Sequence, residues 1–412
     1  MDLSVDFAGK HFENPFLLAS APPTADGEMI ARAFEAGWAG AVTKTFSREP
    51  MRNLQNRLTS GRIGKRVYAL ENIELVSDRR PEAWFKDVRW LKARFPQKIV
   101  IASIMGDAQD SGQWIELALG AQDAGADMLE LNFSCPHGCP EQGRGAAIGQ
   151  NEEFSARICR WLKEARSLTL PLIPKLTAAV SDITVIGQAV ADTGVEALAA
   201  VNTYPALVGV DLDTLSPLPS IGGQSTYGGM SGPALKPIAL RAVSRLAGKP
   251  GLPIMATGGV SSGTDAAEFI LLGASLVQVC TEVMQRGYGV VTGMARELEE
   301  FMTRHHFEHI GDFLGVANRR LTTHAGLDGA FRVRPRIVAE RCVGCGICQV
   351  SCRDGAHAAI QLTRGMVEVD DDRCLGCALC AQVCPQGAIL MEECACAEPL
   401  ASSERRAGST AG

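Results

Sequence analysis

Apolar residues follow two alternating patterns along the first 300 positions. Short runs that are apolar at almost every position fall at 15–21, 39–46, 99–105, 128–135, 170–177, 197–204, 253–260 and 276–283. Runs of this length predict strands covered on both faces. Between most of them lie amphipathic stretches of helical period, at 28–36, 111–124, 151–165, 183–192 and 264–272. Eight such units in about 250 residues predict an α/β fold, a closed (β/α)8 TIM barrel, better than an open doubly wound sheet. Periodicity by itself leaves the open sheet standing.

Residues 1–13 read as a hairpin, alternating LSVDF and HFE around a Gly-Lys turn. The polar residues of the barrel pattern gather at the C-terminal ends of the strands, where barrels keep their chemistry: Ser20, Lys44, Cys135, Lys175, Asn202, Thr203, Gly258, Gly259 and Thr281. Insertions at 47–80 and 205–233 and a glycine-rich loop at 136–150 would all lie over that same face. The boundaries read as a barrel over 1–300, a linker over 301–338, a cysteine-rich ferredoxin-like α+β domain over 339–395 and a flexible tail over 396–412.

Ten of the fourteen cysteines fall between Cys342 and Cys396. Cys342, Cys345, Cys348 and Cys352 form a C-x2-C-x2-C-x3-C run, repeated as Cys374, Cys377, Cys380 and Cys384, the last followed by Pro385. This is the spacing of a two-cluster ferredoxin, in which three thiolates of one loop reach three irons and the fourth crosses to the other cluster. Cys342, Cys345, Cys348 and Cys384 then hold one 4Fe-4S cluster, and Cys374, Cys377, Cys380 and Cys352 hold the other. Zinc also binds paired cysteines, but four ligands per site do not account for two triplets each with a distant fourth. Cys394 and Cys396, beside a Ser, Gly and Ala tail, read as exposed thiols without a role.

Composition narrows the partners. A formal net charge of -6 gives nucleic acid or an anionic membrane no electrostatic footprint. No apolar run is long enough to cross a bilayer, and the start MDLSVDFAGK lacks the layout of a secretion signal. A cytoplasmic location is expected, and there clustered cysteines argue for metal ligation over disulfides.

Within the barrel, Lys44 and Lys175 end apolar strands, so each must reach water or meet a negative partner. Reduced FMN would supply that partner, although either lysine alone could be a surface cation. Thr257-Gly258-Gly259 after the seventh strand and Cys280-Thr281 after the eighth stand where barrels bind phosphate; a tight turn would also account for the glycines. No Gly-x-Gly-x-x-Gly follows a strand, so nicotinamide is expected on another chain. Cys135, in Asn132-Phe133-Ser134-Cys135-Pro136-His137, offers a thiol that is protonated at neutral pH yet transferable, the acid needed when a flavin delivers hydride to a polarised C=C bond. The Pro-His-Gly context argues that Cys135 is exposed. Cys139 could compete for the role, whereas Cys159 and Cys280 read as buried structural thiols.

The segments LNFSCPHG, ENIELVS, KTF, AVNT, STYGGMSGPALKPIALR and ATGGV, with the two cysteine runs, resemble the dihydropyrimidine dehydrogenases over nearly the whole chain. The likeness is to the FMN and iron–sulfur subunit of the bacterial NAD-dependent form, within the dihydroorotate dehydrogenase-like superfamily. The resemblance implies reduction of uracil or thymine to the 5,6-dihydropyrimidine, and the reverse, in pyrimidine catabolism. Hydride would pass between FMN N5 and pyrimidine C6, with Cys135 exchanging a proton at C5. Asn72, Glu74, Asn132, Phe133, Ser134, Asn202 and Thr203 would bind the pyrimidine. Ser20, Lys44, Thr45, Lys175, Gly232, Thr257, Gly258, Gly259, Cys280 and Thr281 would hold FMN. Electrons would arrive through the clusters from a partner subunit carrying FAD and oxidising NAD(H), in a hetero-oligomer. Departures fall in the loop after Cys135, at Cys139, Pro140 and Arg144, and in the insertion at 204–223. A buried carboxylate at Glu74 would repel orotate and favour uracil or thymine. Dihydroorotate oxidation is the alternative reaction, and a non-catalytic electron-transfer subunit the alternative class.

Overall fold

A computed structural model describes residues 1–135 and 145–394. Wholly apolar runs become short parallel strands with every residue buried, as in β7 below, because no polar edge needs water. In chain order the strands of the first part are β1 (Val5–Phe7), β2 (Lys10–Phe12), β3 (Phe16–Leu18), β4 (Gly40–Val42), β5 (Leu58–Ile63), β6 (Arg66–Asn72), β7 (Ile99–Ile104) and β8 (Met128–Asn132). After them come β9 (Leu172–Leu176), β10 (Leu198–Ala200), β11 (Tyr204–Ala206), β12 (Val210–Asp211), β13 (Ser216–Pro217), β14 (Gly228–Ser231), β15 (Ile254–Thr257) and β16 (Ala274–Val279). Strands β3, β4, β7, β8, β9, β10, β15 and β16 close into a parallel barrel, with β9 paired to β10 and β16 to β3. The open sheet is therefore ruled out.

Alternate residues of these strands build two apolar layers. Phe16 and Leu18 face the surrounding helices, whereas Leu17 points into the barrel with Val42, Ile101, Met128, Ile173 and Met255. The hairpin β1–β2 adds Phe7 and Phe12 to that inner cluster, closing one end of the barrel. Helices Gly27–Glu35, Ser111–Asp123, Glu152–Glu164, Ile183–Ala191 and Gly263–Leu271 each start on a side-chain cap, respectively Asp26, Asp110, Asn151, Asp182 and Ser262. Each cap satisfies a backbone N–H that the helix itself cannot.

The two insertions meet in one antiparallel sheet of order β11-β14-β6-β5. Asn72 of β6 stands opposite Gly229 of β14, so residues over a hundred positions apart share one roof element. Between β11 and β14, β12 and β13 form a small hairpin.

The chain divides into two compact units, Met1–Leu321 and Thr322–Gly412. The segment read as a linker is split between them. Helix Val290–His305, with Met302, continues into a turn region whose Ile310 and Phe313 are buried with it in the helix layer of the barrel; Val333–Ile337 (β17) belongs to the second unit. In that unit β17 pairs antiparallel with Ile389–Glu393 (β20), and Ile360–Thr363 (β18) pairs with Met366–Val369 (β19). Helices Ile347–Gly355 and Leu379–Val383 begin just before the third cysteine of each triplet, Cys348 and Cys380. Left-handed backbone recurs at Gly344 and Gly346 and again 32 positions on at Gly376 and Ala378, so the sequence repeat is also a repeat of conformation. Among the described residues no helix is long and apolar enough to cross a membrane.

Candidate active site and cluster cages

The C-terminal ends of the barrel strands open into a cleft with about 1000 Å³ of space. Ser20, Lys44, Thr45, Lys175, Gly232, Thr257, Gly258, Gly259, Cys280 and Thr281 all line it. So do Asn72, Glu74, Asn132, Cys135, Asn202 and Thr203. Strand-end polarity brings these positions together because each follows a buried strand that can carry a polar side chain only where it emerges. Asn72 reaches the cleft by another route, at the end of β6 in the roof sheet.

One part of the cleft is built from backbone. Gly232, Gly258 and Gly259 all have left-handed φ. A Cβ on Gly259 would lie 2.7 Å from Lys236 N and 2.9 Å from Gly232 O, so only glycine allows these chain segments to approach. Thr281 Oγ1 donates to Ser231 Oγ at 2.8 Å beside them. Side-chain-free backbone next to a hydroxyl pair, with two lysines in the same cleft, fits the phosphate and ring of FMN. Ser231 was not singled out in the sequence.

Beneath the cleft lies a polar network that the strand-end reasoning missed. Lys175 Nζ donates to Gln278 Oε1 at 2.7 Å and stands 3.5 Å from Glu130 Oε2. Gln278 Nε2 donates to Glu130 Oε2 at 2.9 Å, and Ser103 Oγ to Glu130 Oε1 at 3.2 Å. Ser103 Oγ is 2.8 Å from Thr45 Oγ1, which accepts from Asn132 Nδ2 at 2.9 Å and lies 3.0 Å from Ser20 Oγ. The signal was available: a glutamate inside the apolar run MLELN has to meet a partner when buried.

Cys135 is buried, only 6% exposed, and packs with Val76 and Met105 while still lining the cleft. The exposure expected from its Pro-His-Gly context is corrected, since the roof insertion supplies Val76 to cover it. Gly145, with φ +56, fixes this corner: a Cβ there would stand 2.8 Å from Cys135 Cβ and 2.7 Å from its carbonyl oxygen. His137, Cys139, Pro140 and Arg144 lie outside the described residues.

Two expected pyrimidine ligands do not line the cleft. Phe133 is fully buried in the helix layer, edge-on to Trp114 with ring centroids 5.7 Å apart. Successive residues leaving a strand face opposite ways, and Asn132 takes the cleft side. Ser134 is fully buried too; its N–H donates to Asn132 Oδ1 at 3.1 Å, so it orients that amide. Cys280 does line the cleft, and burial pushes its thiol up to about 12, so it is present as a neutral packing group. Burial likewise pushes Cys159 up to about 12.

Glu74 lines the cleft, but both its oxygens are engaged by cations. Lys44 Nζ is 2.8 Å from Oε2 and Arg57 Nε 2.9 Å from Oε1. With two positive charges on one negative, the carboxylate presents no net negative field, and the repulsion of orotate expected from the sequence does not arise.

In the second unit the eight thiols sort into two cages. Cys352, Cys374, Cys377 and Cys380 line one pocket, and Cys342, Cys345, Cys348 and Cys384 line another. The crossing of each fourth cysteine to the other triplet follows from the two helices, since Ile347–Gly355 carries Cys352 away from its own triplet and Leu379–Val383 ends at Cys384. Among the described residues no three ligating side chains converge closely enough for a single ion. Thiols around a void suit a cubane, whereas zinc needs four sulfurs about 2.3 Å from one point. Cys394 follows β20, its N–H donating to Arg332 O at 3.2 Å, and is half-buried, which corrects the exposure expected of it; Cys396 and the tail read over 396–412 lie outside the described residues.

The family description of dihydroorotate dehydrogenase matches residues 2–302, and that of the 4Fe-4S dicluster domain matches 335–391. The chain is 38% identical over 369 residues to NAD-dependent dihydropyrimidine dehydrogenase subunit PreA of Escherichia coli (strain K12), covering 87% of each chain. It is 39% identical over 340 residues to the chloroplastic dihydropyrimidine dehydrogenase (NADP(+)) of Arabidopsis thaliana, covering 79% of each. It is 34% identical over 315 residues to the catalytic subunit of dihydroorotate dehydrogenase B (NAD(+)) of Pyrococcus abyssi, covering 76% of this chain and 99% of that one. With a barrel that fits a flavin and thiol cages that fit two cubanes, the chain belongs to the dihydroorotate dehydrogenase family and is an oxidoreductase of the dihydropyrimidine dehydrogenase type.

Proposed function

We propose that this chain interconverts uracil or thymine and the 5,6-dihydropyrimidine, with Cys135 exchanging the proton at C5. The observation that carries the reading is the cleft in which one buried thiol, Cys135, meets Asn72, Asn132, Asn202 and Thr203 as well as Lys44 and Lys175. A uracil ring carries carbonyl acceptors and N–H donors on alternate edges, and amide side chains offer both. Two of the asparagines are held in place by the backbone, since Asn72 Nδ2 donates to Gly229 O at 3.2 Å and Asn202 Oδ1 accepts from Thr203 N at 2.8 Å. FMN, held by the backbone cradle at Gly232, Gly258 and Gly259 and by Lys44 and Lys175, would supply hydride exchange at C6, and clusters held by the two thiol cages would supply its electrons one at a time. Lys44 and Lys175 place positive charge where negative charge develops. Cys135 gives its proton to C5 in the direction of reduction, and the resulting thiolate is reprotonated from solvent before the next turnover.

The dihydropyrimidine dehydrogenases at 38% and 39% identity favour this substrate class. The relative at 38% identity is named a subunit of an NAD-dependent enzyme, which supports a separate FAD-containing, NAD(H)-oxidising subunit as the source of electrons, in a cytoplasmic hetero-oligomer. The neutralised Glu74 supports dihydroorotate as a second substrate reading, because no net negative charge opposes a carboxylate there. Anaerobic protein given dithionite and a pyrimidine separates the readings. Dihydrouracil or dihydrothymine formation is expected, with orotate turned over at least tenfold more slowly. Turnover of orotate alone supports the second reading, and no product from any pyrimidine contradicts both.

A further inference from the structure

Glu130, Ser103 and Gln278 are nearly or wholly out of solvent, at 0%, 0% and 1% exposure, so water cannot reverse their hydrogen bonds. A carboxylate only accepts, and a hydroxyl has one proton to give. Ser103 Oγ, spending its proton on Glu130, must therefore accept from Thr45 Oγ1. Thr45 in turn must accept from both Ser20 Oγ and Asn132 Nδ2. That places the Asn132 amide with nitrogen toward Thr45 and oxygen toward Ser134 N. On the other side, Gln278 Nε2 donates to Glu130, which turns its oxygen to Lys175 Nζ. One buried charge thus sets the direction of every bond on two branches.

We propose that Glu130 is a positioning residue for the reaction, fixing Asn132 through Ser103 and Thr45, and Lys175 through Gln278. The inference rests on the pyrimidine reading above. A fully satisfied network in a dry interior holds a single arrangement, so the pyrimidine meets one donor–acceptor pattern at Asn132 while Lys175 stays at a fixed place beside the flavin.

The test uses the full-length protein with its cofactors bound and reads two quantities, the uracil dissociation constant from the shift of the flavin band and the flavin midpoint potential. Ser103→Ala cuts the first branch and is expected to weaken uracil about 3- to 10-fold, the worth of one hydrogen bond, with the potential unchanged. Gln278→Leu cuts the second and is expected to lower the potential as Lys175 falls back onto Glu130, with uracil binding within twofold. Glu130→Gln is expected to weaken uracil and raise the potential together. The proposal is overturned if Ser103→Ala leaves uracil binding within twofold, or if it moves both quantities alike as a packing defect does. Should Glu130→Gln fail to fold, the two single-branch variants decide. If wild-type protein holds flavin yet shows no band shift with uracil, the substrate reading fails instead. The Lys175 branch is then judged on potentials alone, where an unchanged value in Gln278→Leu overturns it.

Discussion

A single methyl group distinguishes the two corners of the cleft. On Gly259 it would collide with the backbone of Lys236 and Gly232, at a position with φ +78, and the chain could relieve the contact only by opening the backbone cradle. Gly259→Ala should lose most of its flavin on purification while keeping its iron, as absorbance and iron analysis would show; full flavin content contradicts the cradle. On Gly145 the methyl would push directly on Cys135. Gly145→Ala should keep flavin and iron but lose at least tenfold in turnover, because a displaced acid no longer reaches C5; turnover within twofold of wild type contradicts that account. At this scale the polar strand ends were legible, since a lysine or asparagine that closes an apolar run has few places to go. Ser103 and Gln278 were not, because each sits between apolar neighbours in a run that reads as plain core; Glu130 inside MLELN signalled that a partner was needed but not which one. Phe133 shows the opposite error. Its motif neighbours suggested a ligand, while the twofold alternation along a strand had already turned it toward Trp114.

Among the elements, the eight barrel strands were legible because burial on both faces demands unbroken apolar runs. The roof strands were not: β5 reads LTSGRI and is largely exposed, so it carries neither an apolar run nor a clear alternation. Besides its backbone ladders, the roof is tied by Glu71, which is fully buried and accepts from Val208 N at 2.5 Å and Gly228 N at 3.1 Å. Burial raises its carboxyl above the ordinary value of 4.5. The folded chain therefore holds this proton more tightly than the unfolded chain, and the resulting stability is complete below pH 4.5 and lost as pH rises through the raised value. Limited proteolysis within residues 207–227 should accelerate across that window, and Glu71→Gln should flatten the dependence. Equal protection at both ends of the window in the native protein contradicts this role.

For the molecule as a whole, two units do separate work: Met1–Leu321 forms the cleft and Thr322–Gly412 cages the clusters. The repeat at 32 positions was visible because ligand spacing is dictated by the cubane and leaves a direct trace in the sequence. The packing of Ile310 and Phe313 against the barrel was not, since short irregular turns have no period to detect. The crossed ligation makes Cys352 and Cys374 members of one cage although they belong to different runs. Cys352→Ala and Cys374→Ala should each abolish the same electron paramagnetic resonance signal and retain about half the iron; loss of different signals contradicts the crossing.

On the proposed reading, the cleft serves one proton transfer, from the buried thiol of Cys135 to a pyrimidine reduced by the flavin. The most direct measurement is dihydrouracil formation by Cys135→Ala under artificial reductant, on protein whose flavin and iron content match wild type. Uracil should still perturb the flavin band while turnover falls by about 100-fold or more, the usual contribution of a general acid. A variant that turns uracil over at the wild-type rate contradicts that role.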